Sequence, residues 1–116
     1  MWTARRWSGG NHAEVEPLTA ADTVRLCKSY GVSKASQIPW NYRPVLVLID
    51  DHNYCASIYA QEHTSSSDGV IKNNNYTGTM CVHFTNSKTH DTNAVNSGHQ
   101  KDIEEAYNNA PGGQKK

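Results

Sequence analysis

The stretch Thr77 to His90 has the sequence Thr-Gly-Thr-Met-Cys-Val-His-Phe-Thr-Asn-Ser-Lys-Thr-His. Its residues Met80 to Phe84 predict a short strand, in which alternate side chains share a face. Cys81 and His83 would then point the same way, with Cα atoms roughly 6.5 to 7 Å apart. A neighbouring imidazolium lowers a thiol pKa, so this pair predicts a thiolate nucleophile. The alternatives are a metal-binding pair, or a buried core cysteine beside a hydrogen-bonded histidine.

Polar residues around this strand are candidates for the rest of a site. His63 lies in a polar segment, residues 61 to 69, directly after a predicted strand, and functional groups are often carried on such braced loops. We expect His63 or His83 to be the base. Thr79, Ser87 and His90 are the candidate substrate-binding residues.

The remaining pattern predicts an α+β fold, with a mostly antiparallel sheet and two short helices. The five aliphatic residues Val45 to Ile49 predict a strand buried on both sides. A turn at residues 50 to 53 and a returning strand from Tyr54 to Ala60 complete a hairpin.

Helix signals occur at two places in the chain. Thr19 with Asp22 predicts an N-cap for a helix near residues 20 to 30 that stops at Gly31. Ser97 with Gln100 resembles a capping box that opens a helix near residues 98 to 107. The residues expected to face inward are Ala20, Val24, Cys27, Ile103, Ala106 and Tyr107.

Length and composition bound the class of protein. A chain of 116 residues predicts one domain, here residues 1–110, with a disordered tail over residues 111–116. The 11 basic and 11 acidic residues balance, so no nucleic-acid footprint is indicated, and no apolar run approaches a membrane span. Three cysteines argue against a closed disulfide framework. We expect a monomer.

A zinc site is the alternative to a cysteine nucleophile. His12, Glu14 and Glu16 alternate, so an extended segment places all three on one face, either as a solvated edge or as metal ligands. No two histidines show the i, i+4 spacing of a helical zinc site, so the expectation is that no cofactor is needed. A zinc hydrolase would draw its ligands from scattered positions, namely His12, Glu14, His63, His83 and His90.

Six segments of the chain carry a resemblance to a known module: Gly9 to Thr19, Ala56-Ser57, Ile71 to Asn75, Cys81 to Phe84, Ser87 to His90 and His99-Gln100. Together they resemble a C-terminal module of secreted, cell-wall-associated proteins of Firmicutes. Those relatives often carry peptidoglycan-binding repeats upstream. The resemblance therefore implies a peptidoglycan peptide or glycan as partner and an extracellular or cell-wall location. The chain begins without the apolar stretch of a signal peptide, so we expect another export route or a domain of a longer chain.

The spacing of His63 and Cys81 also resembles that of YkuD-type L,D-transpeptidases, whose nucleophile lies in Ser-His-Gly-Cys-(Ile/Val)-Arg. Cys81-Val82 matches Cys-(Ile/Val), whereas Thr64, Thr79 and His83 stand where that family has Gly, His and Arg. The resemblance implies a cysteine L,D-transpeptidase or peptidase acting on peptidoglycan. Two other hypotheses remain open: the zinc-dependent wall hydrolase, and a non-catalytic wall-binding module with exposed aromatic residues.

Overall fold

The fold is α+β, as the sequence predicts. The computed structural model describes residues 1–8, 10–63, 71–89, 92–109 and 113–115, with only the backbone for Trp7 and Ser8. The elements of the described chain are β1 (Ala4–Ser8), β2 (Ala13–Pro17), α1 (Ala20–Ser29), a 3-10 turn (Ala35–Gln37), β3 (Tyr42–Ile49), β4 (His52–His63), β5 (Thr79–His83) and α2 (Ser97–Asn109). These strands form a five-stranded sheet in the order β1-β2-β5-β4-β3. The β1–β2 and β3–β4 pairs are antiparallel.

The described contacts divide the chain into two compact units. The first unit comprises Met1–Ser8, Ala13–Asn41 and Ala60–Cys81, and the second comprises Gly9–His12, Tyr42–Tyr59 and Val82–Lys116. The division falls inside β4 and β5, where no linker composition marks it. Within the described ranges, no helix is long and apolar enough to cross a membrane.

In the first unit, α1 begins with the predicted cap. The Asp22 backbone N–H donates to Thr19 Oγ1 at 3.2 Å, and the Thr19 N–H donates to the Asp22 carboxylate at 3.1 Å. Cys27 is buried as predicted, but Val24 is 63% exposed. The buried face instead runs through Thr23 and Leu26, so the helix is rotated relative to the predicted phase.

The acidic residues of β2 are buried, so the prediction of a solvated edge is wrong. In the sheet order β2 lies between β1 and β5, and Glu14 and Glu16 are buried, Glu16 completely. Glu16 Oε1 accepts hydrogen bonds from the Ile71 backbone N–H at 3.1 Å and from Asn74 Nδ2 at 3.0 Å. The Tyr76 N–H donates to Asn74 Oδ1 at 3.2 Å. This polar network ties the segment that leads into β5 onto β2.

In the second unit, β3 and β4 form the predicted hairpin with a tighter turn than expected. Ile49 pairs directly with His52, so the loop is the two residues Asp50 and Asp51. Both have positive φ, at 49° and 65°, as a type I′ turn requires. Aspartate tolerates this left-handed conformation better than most residues, which explains the turn at this sequence.

The aliphatic run of β3 is not buried on both sides, and that prediction is wrong. Leu46, Leu48 and Ile49 are between 44% and 55% exposed. The strand lies at an edge of the sheet, and α2 packs over part of it. Five consecutive aliphatic residues carry no alternation, so the sequence alone does not distinguish an edge strand from a central one.

The helix α2 begins one residue earlier than the predicted cap implies. Asn96, rather than Ser97, is the cap, because its Oδ1 accepts the His99 backbone N–H at 3.0 Å. Gln100 is not part of a capping box; its side chain accepts from the Asn86 N–H and donates to the Phe84 carbonyl, both at 3.1 Å. These bonds anchor the turn after β5 to the helix.

The inner face of α2 is largely as predicted. Ile103 and Ala106 are buried and pack with Cys55 of β4. Tyr107 is 47% exposed, so its inward placement is wrong. It follows Ala106 directly and therefore points about 100° away around the helix.

Part of the tail predicted to be disordered pairs with β4. The Gln114 N–H donates to the Asn53 carbonyl at 2.9 Å, and the Cys55 N–H donates to the Gln114 carbonyl at 2.7 Å. Residues 111, 112 and 116 lie outside the described residues. These bonds give the Cys55 backbone N–H a partner.

Candidate active site

The first unit brings together two of the predicted catalytic residues, Cys81 and His63. The Sγ atom of Cys81 lies 2.8 Å from His63 Nε2, although the residues are 18 positions apart. His63 is the last residue of β4, so it is carried by a strand rather than by the predicted loop. Residues 64–70, which follow it, lie outside the described residues.

The backbone of Gln61 sets the tautomer of His63. His63 Nδ1 lies 2.5 Å from the Gln61 carbonyl oxygen, which can only accept a hydrogen bond. Nδ1 therefore carries the ring proton, and Nε2 of the neutral ring presents a lone pair to the Cys81 thiol. A thiol, an imidazole and a carbonyl that orients the imidazole are thus aligned, which is the geometry that a cysteine nucleophile with a histidine base would require.

Two further hydrogen bonds hold the end of β4 in place. The Tyr76 hydroxyl donates to the Ala60 carbonyl at 2.6 Å. The Thr77 backbone N–H donates to the Glu62 carboxylate. Both bonds connect the strand end that carries His63 to the segment that enters β5, so they help to position the imidazole against Cys81.

Burial opposes a resting thiolate at Cys81. The side chain is buried, and this burial, together with the nearby Glu14 carboxylate, raises the pKa of the Cys81 thiol to about 12. The sequence predicted the opposite direction for this pKa. The geometry therefore favours a neutral thiol that gives its proton to His63 as it attacks, in place of a preformed thiolate.

An exposed aromatic residue adjoins the pair. Trp40 is 58% exposed, and its ring centroid lies 5.6 Å from that of His63 with the planes tilted by 47°. The sequence showed no sign of this contact, because Trp40 lies 23 positions before His63 in an irregular segment. Sequence reasoning missed Gln61, and it placed Trp40 only among the exposed aromatic residues of the alternative wall-binding module.

His83, the alternative base, lies in a different cluster in the second unit. Its ring stacks on His12 with centroids 4.5 Å apart and on His99 with centroids 3.8 Å apart. His99 stacks in turn on Tyr42 at 3.9 Å. All three histidines are buried. The cluster forms a column of aromatic rings. His83 lies within this column and has a packing role.

A serine and an aspartate orient His99 within this column. Ser57 Oγ donates to Asp102 Oδ2 at 2.9 Å and lies 2.6 Å from His99 Nδ1. Because the hydroxyl proton is directed at the carboxylate, Ser57 Oγ accepts from His99 Nδ1–H. Ser57 is completely buried, with its oxygen engaged on both sides, so this Ser, His and Asp set is not arranged for nucleophilic attack.

The column predicts a loss of stability in acid. Burial, and secondarily the charge of His12, lowers the pKa of His99 to about 4. An unfolded histidine takes up a proton near its model value of 6.5, so between pH 6.5 and about 4 the unfolded state binds more protons. We expect the urea concentration at the unfolding midpoint to fall as the pH is lowered through this window. Below the window, His99 should add nothing further to that fall. In His99→Phe the fall should be smaller, and an equal fall in both proteins would contradict the assignment.

The candidate zinc ligands do not form a cluster in the described part of the chain, where no group of three or more His, Cys, Asp or Glu is placed to hold a metal ion. The rings of His12 and His83 are stacked face to face. Their nitrogen lone pairs therefore lie in nearly parallel planes and do not converge on one metal ion. His12 Nδ1 also contacts the Lys88 carbonyl at 2.8 Å. Glu14 and His63 belong to the first unit, and His90 lies outside the described residues.

The predicted substrate-binding residues are Thr79, Ser87 and His90, and the structure describes the first two. Thr79 is completely buried in β5, so it has no exposed surface with which to contact a substrate. Ser87 Oγ accepts the Phe84 backbone N–H at 3.0 Å and so closes the turn after β5. His90 cannot be assigned a contact, because it lies outside the described residues.

Comparison with known proteins gives no match among family models, curated proteins or solved structures.

Proposed function

We propose that this protein is a cysteine enzyme that acts on the peptides of peptidoglycan, with Cys81 as nucleophile and His63 as base. The observation that carries the proposal is the 2.8 Å contact between Cys81 Sγ and His63 Nε2, with His63 Nδ1 held by the Gln61 carbonyl. The wall substrate is supported by the resemblance of the motifs around His12, Cys81 and His90 to wall-associated modules.

In the proposed reaction, His63 first accepts a proton and then donates it. Cys81 Sγ attacks an amide carbonyl carbon while its proton passes to His63 Nε2. The tetrahedral intermediate collapses, and the His63 imidazolium donates that proton to the departing amine, leaving a thioester on Cys81. An incoming amine or water then attacks the thioester and loses a proton to His63; the C–S bond breaks, and His63 returns the proton to the departing Cys81 sulfur, which restores the thiol. The incoming group decides between transpeptidation and hydrolysis.

Burial of the thiol is compatible with this route. A thiol with a pKa near 12 is almost entirely protonated at neutral pH. The thiol can pass its proton directly to an imidazole that is already hydrogen-bonded to it. No free thiolate is required, because the proton crosses a single hydrogen bond. His83 has no part in the proposed reaction.

Capture of the thioester tests the proposal. The protein is mixed with muropeptides from a peptidoglycan digest, quenched in acid, and examined by intact-mass spectrometry and peptide mapping. We expect a peptide acyl adduct on the segment that contains Cys81, released by neutral hydroxylamine, and an altered muropeptide profile. An unmodified protein with an unaltered profile would contradict the proposal. Sedimentation with whole peptidoglycan but no adduct would favour the wall-binding module instead.

A further inference from the structure

We propose that the indole of Trp40 forms one wall of a subsite for an ammonium group of the substrate, beside the Cys81–His63 pair. This inference rests on the proposed function, because it specifies what the same site recognises. An aromatic residue that is 58% exposed, with its ring centroid 5.6 Å from that of His63, offers a π face to a molecule bound at the pair.

The carboxylate whose field acts on Cys81, together with the indole face, sets the sign of the ligand. In the described part of the chain, Glu14 is the charged residue whose field acts on Cys81. The face of an indole ring is itself electron-rich and attracts cations. A substrate ammonium is therefore favoured at this position, and a substrate carboxylate is disfavoured.

Such an ammonium would also assist the nucleophile. The Glu14 carboxylate opposes ionisation of Cys81, and a cation bound on the exposed part of the Trp40 ring would offset that field. Electrophiles that carry a positive charge should consequently modify Cys81 faster than neutral or anionic ones. Amine acylation of a natural substrate should slow its reaction for the same reason.

Charged thiol reagents test the subsite without requiring a known substrate. Two methanethiosulfonates are compared, one with a trimethylammonium group and one with a sulfonate group, each normalised to its rate with a free thiol. Cys81 Sγ forms a disulfide with the reagent, methanesulfinate leaves, and the thiol proton passes to His63. Peptide mapping separates Cys81 from Cys27 and Cys55. We expect the cationic reagent to react faster at Cys81.

Variants of Trp40 distinguish the contribution of its indole ring from that of the electrostatic field around Cys81. Trp40→Leu should lower the ratio of cationic to anionic rates by roughly two- to thirtyfold, whereas Trp40→Phe should retain part of the preference. The same replacement at Trp2 is the matched control and should leave the ratio unchanged. If Trp40→Leu does not fold, as judged by circular dichroism, Trp40→Gln replaces it.

Two results would overturn the subsite: a wild-type ratio near one, or a ratio that Trp40→Leu leaves unchanged. Failure of the proposed function is distinguishable from either. A cationic preference that depends on Trp40 supports the subsite even when muropeptides give no adduct on Cys81. Conversely, an acyl adduct without any charge preference supports the enzyme and removes the ammonium subsite.

Discussion

Replacement of Cys81 by alanine is expected to reduce turnover of a peptidoglycan substrate by at least about a thousandfold, because the group proposed to form the covalent intermediate is lost. The fold should persist, since removal of one buried sulfur costs about 1 kcal/mol. Turnover is measured by release of the amine product, and stability by urea denaturation of the same preparations.

Cys27→Ala is the matched control for this variant. Cys27 is also buried, on the inner face of α1, and burial raises the pKa of its thiol as well. We expect a similar small loss of stability and nearly unchanged turnover. Comparable loss of turnover in both variants would mean that the effect comes from packing, and Cys81 would then be a core residue.

His63→Ala extends the test to the base. Iodoacetamide should alkylate Cys81 faster than Cys27 or Cys55 in the wild-type chain, because the imidazole nitrogen of His63 lies 2.8 Å from Cys81 Sγ and can take its proton. In His63→Ala this advantage should disappear. An unchanged rate at Cys81 would show that His63 does not accept the proton.

Replacement of Asn74 by alanine is expected to destabilise the protein by about 3 kcal/mol, with a fall in melting temperature of roughly 10 °C. Asn74 Nδ2 donates to Glu16 Oε1 at 3.0 Å and to the Pro17 carbonyl at 2.9 Å, and its Oδ1 accepts the Tyr76 N–H. The alanine variant removes these three bonds, and the side chain of Asn74 is buried. Thermal and urea denaturation measure the effect.

Two further variants make the Asn74 result specific. Lys72→Ala, at an exposed position in the same segment, should change stability by less than about 0.5 kcal/mol. Asn74→Asp keeps the shape but places a second carboxylate against Glu16, so its instability should ease as the pH is lowered and one carboxylate gains a proton. If Asn74→Ala leaves the free energy of unfolding unchanged, the hydrogen-bond network contributes little to stability.

Local signals determined most of the elements. The Thr19 and Asp22 pair specifies the start of α1 by itself, because its hydrogen bonds join residues three positions apart. The hairpin likewise follows from its two strands, although its two-residue turn is shorter than the turn predicted at residues 50 to 53. The Cys81 strand predicted over Met80 to Phe84 occurs as β5 (Thr79–His83), shifted by one residue.

Contacts between distant residues were decided by the tertiary structure. Burial of Glu16 depends on Asn74, which lies 58 positions later, and the exposure of Leu48 depends on β3 lying at an edge of the sheet. The 18-residue spacing suggested that His63 meets Cys81, but the tautomer depends on a backbone carbonyl, and every residue type has one. The pKa of Cys81 is a property of its burial and of Glu14, on a different strand, so no local pattern could have given its direction.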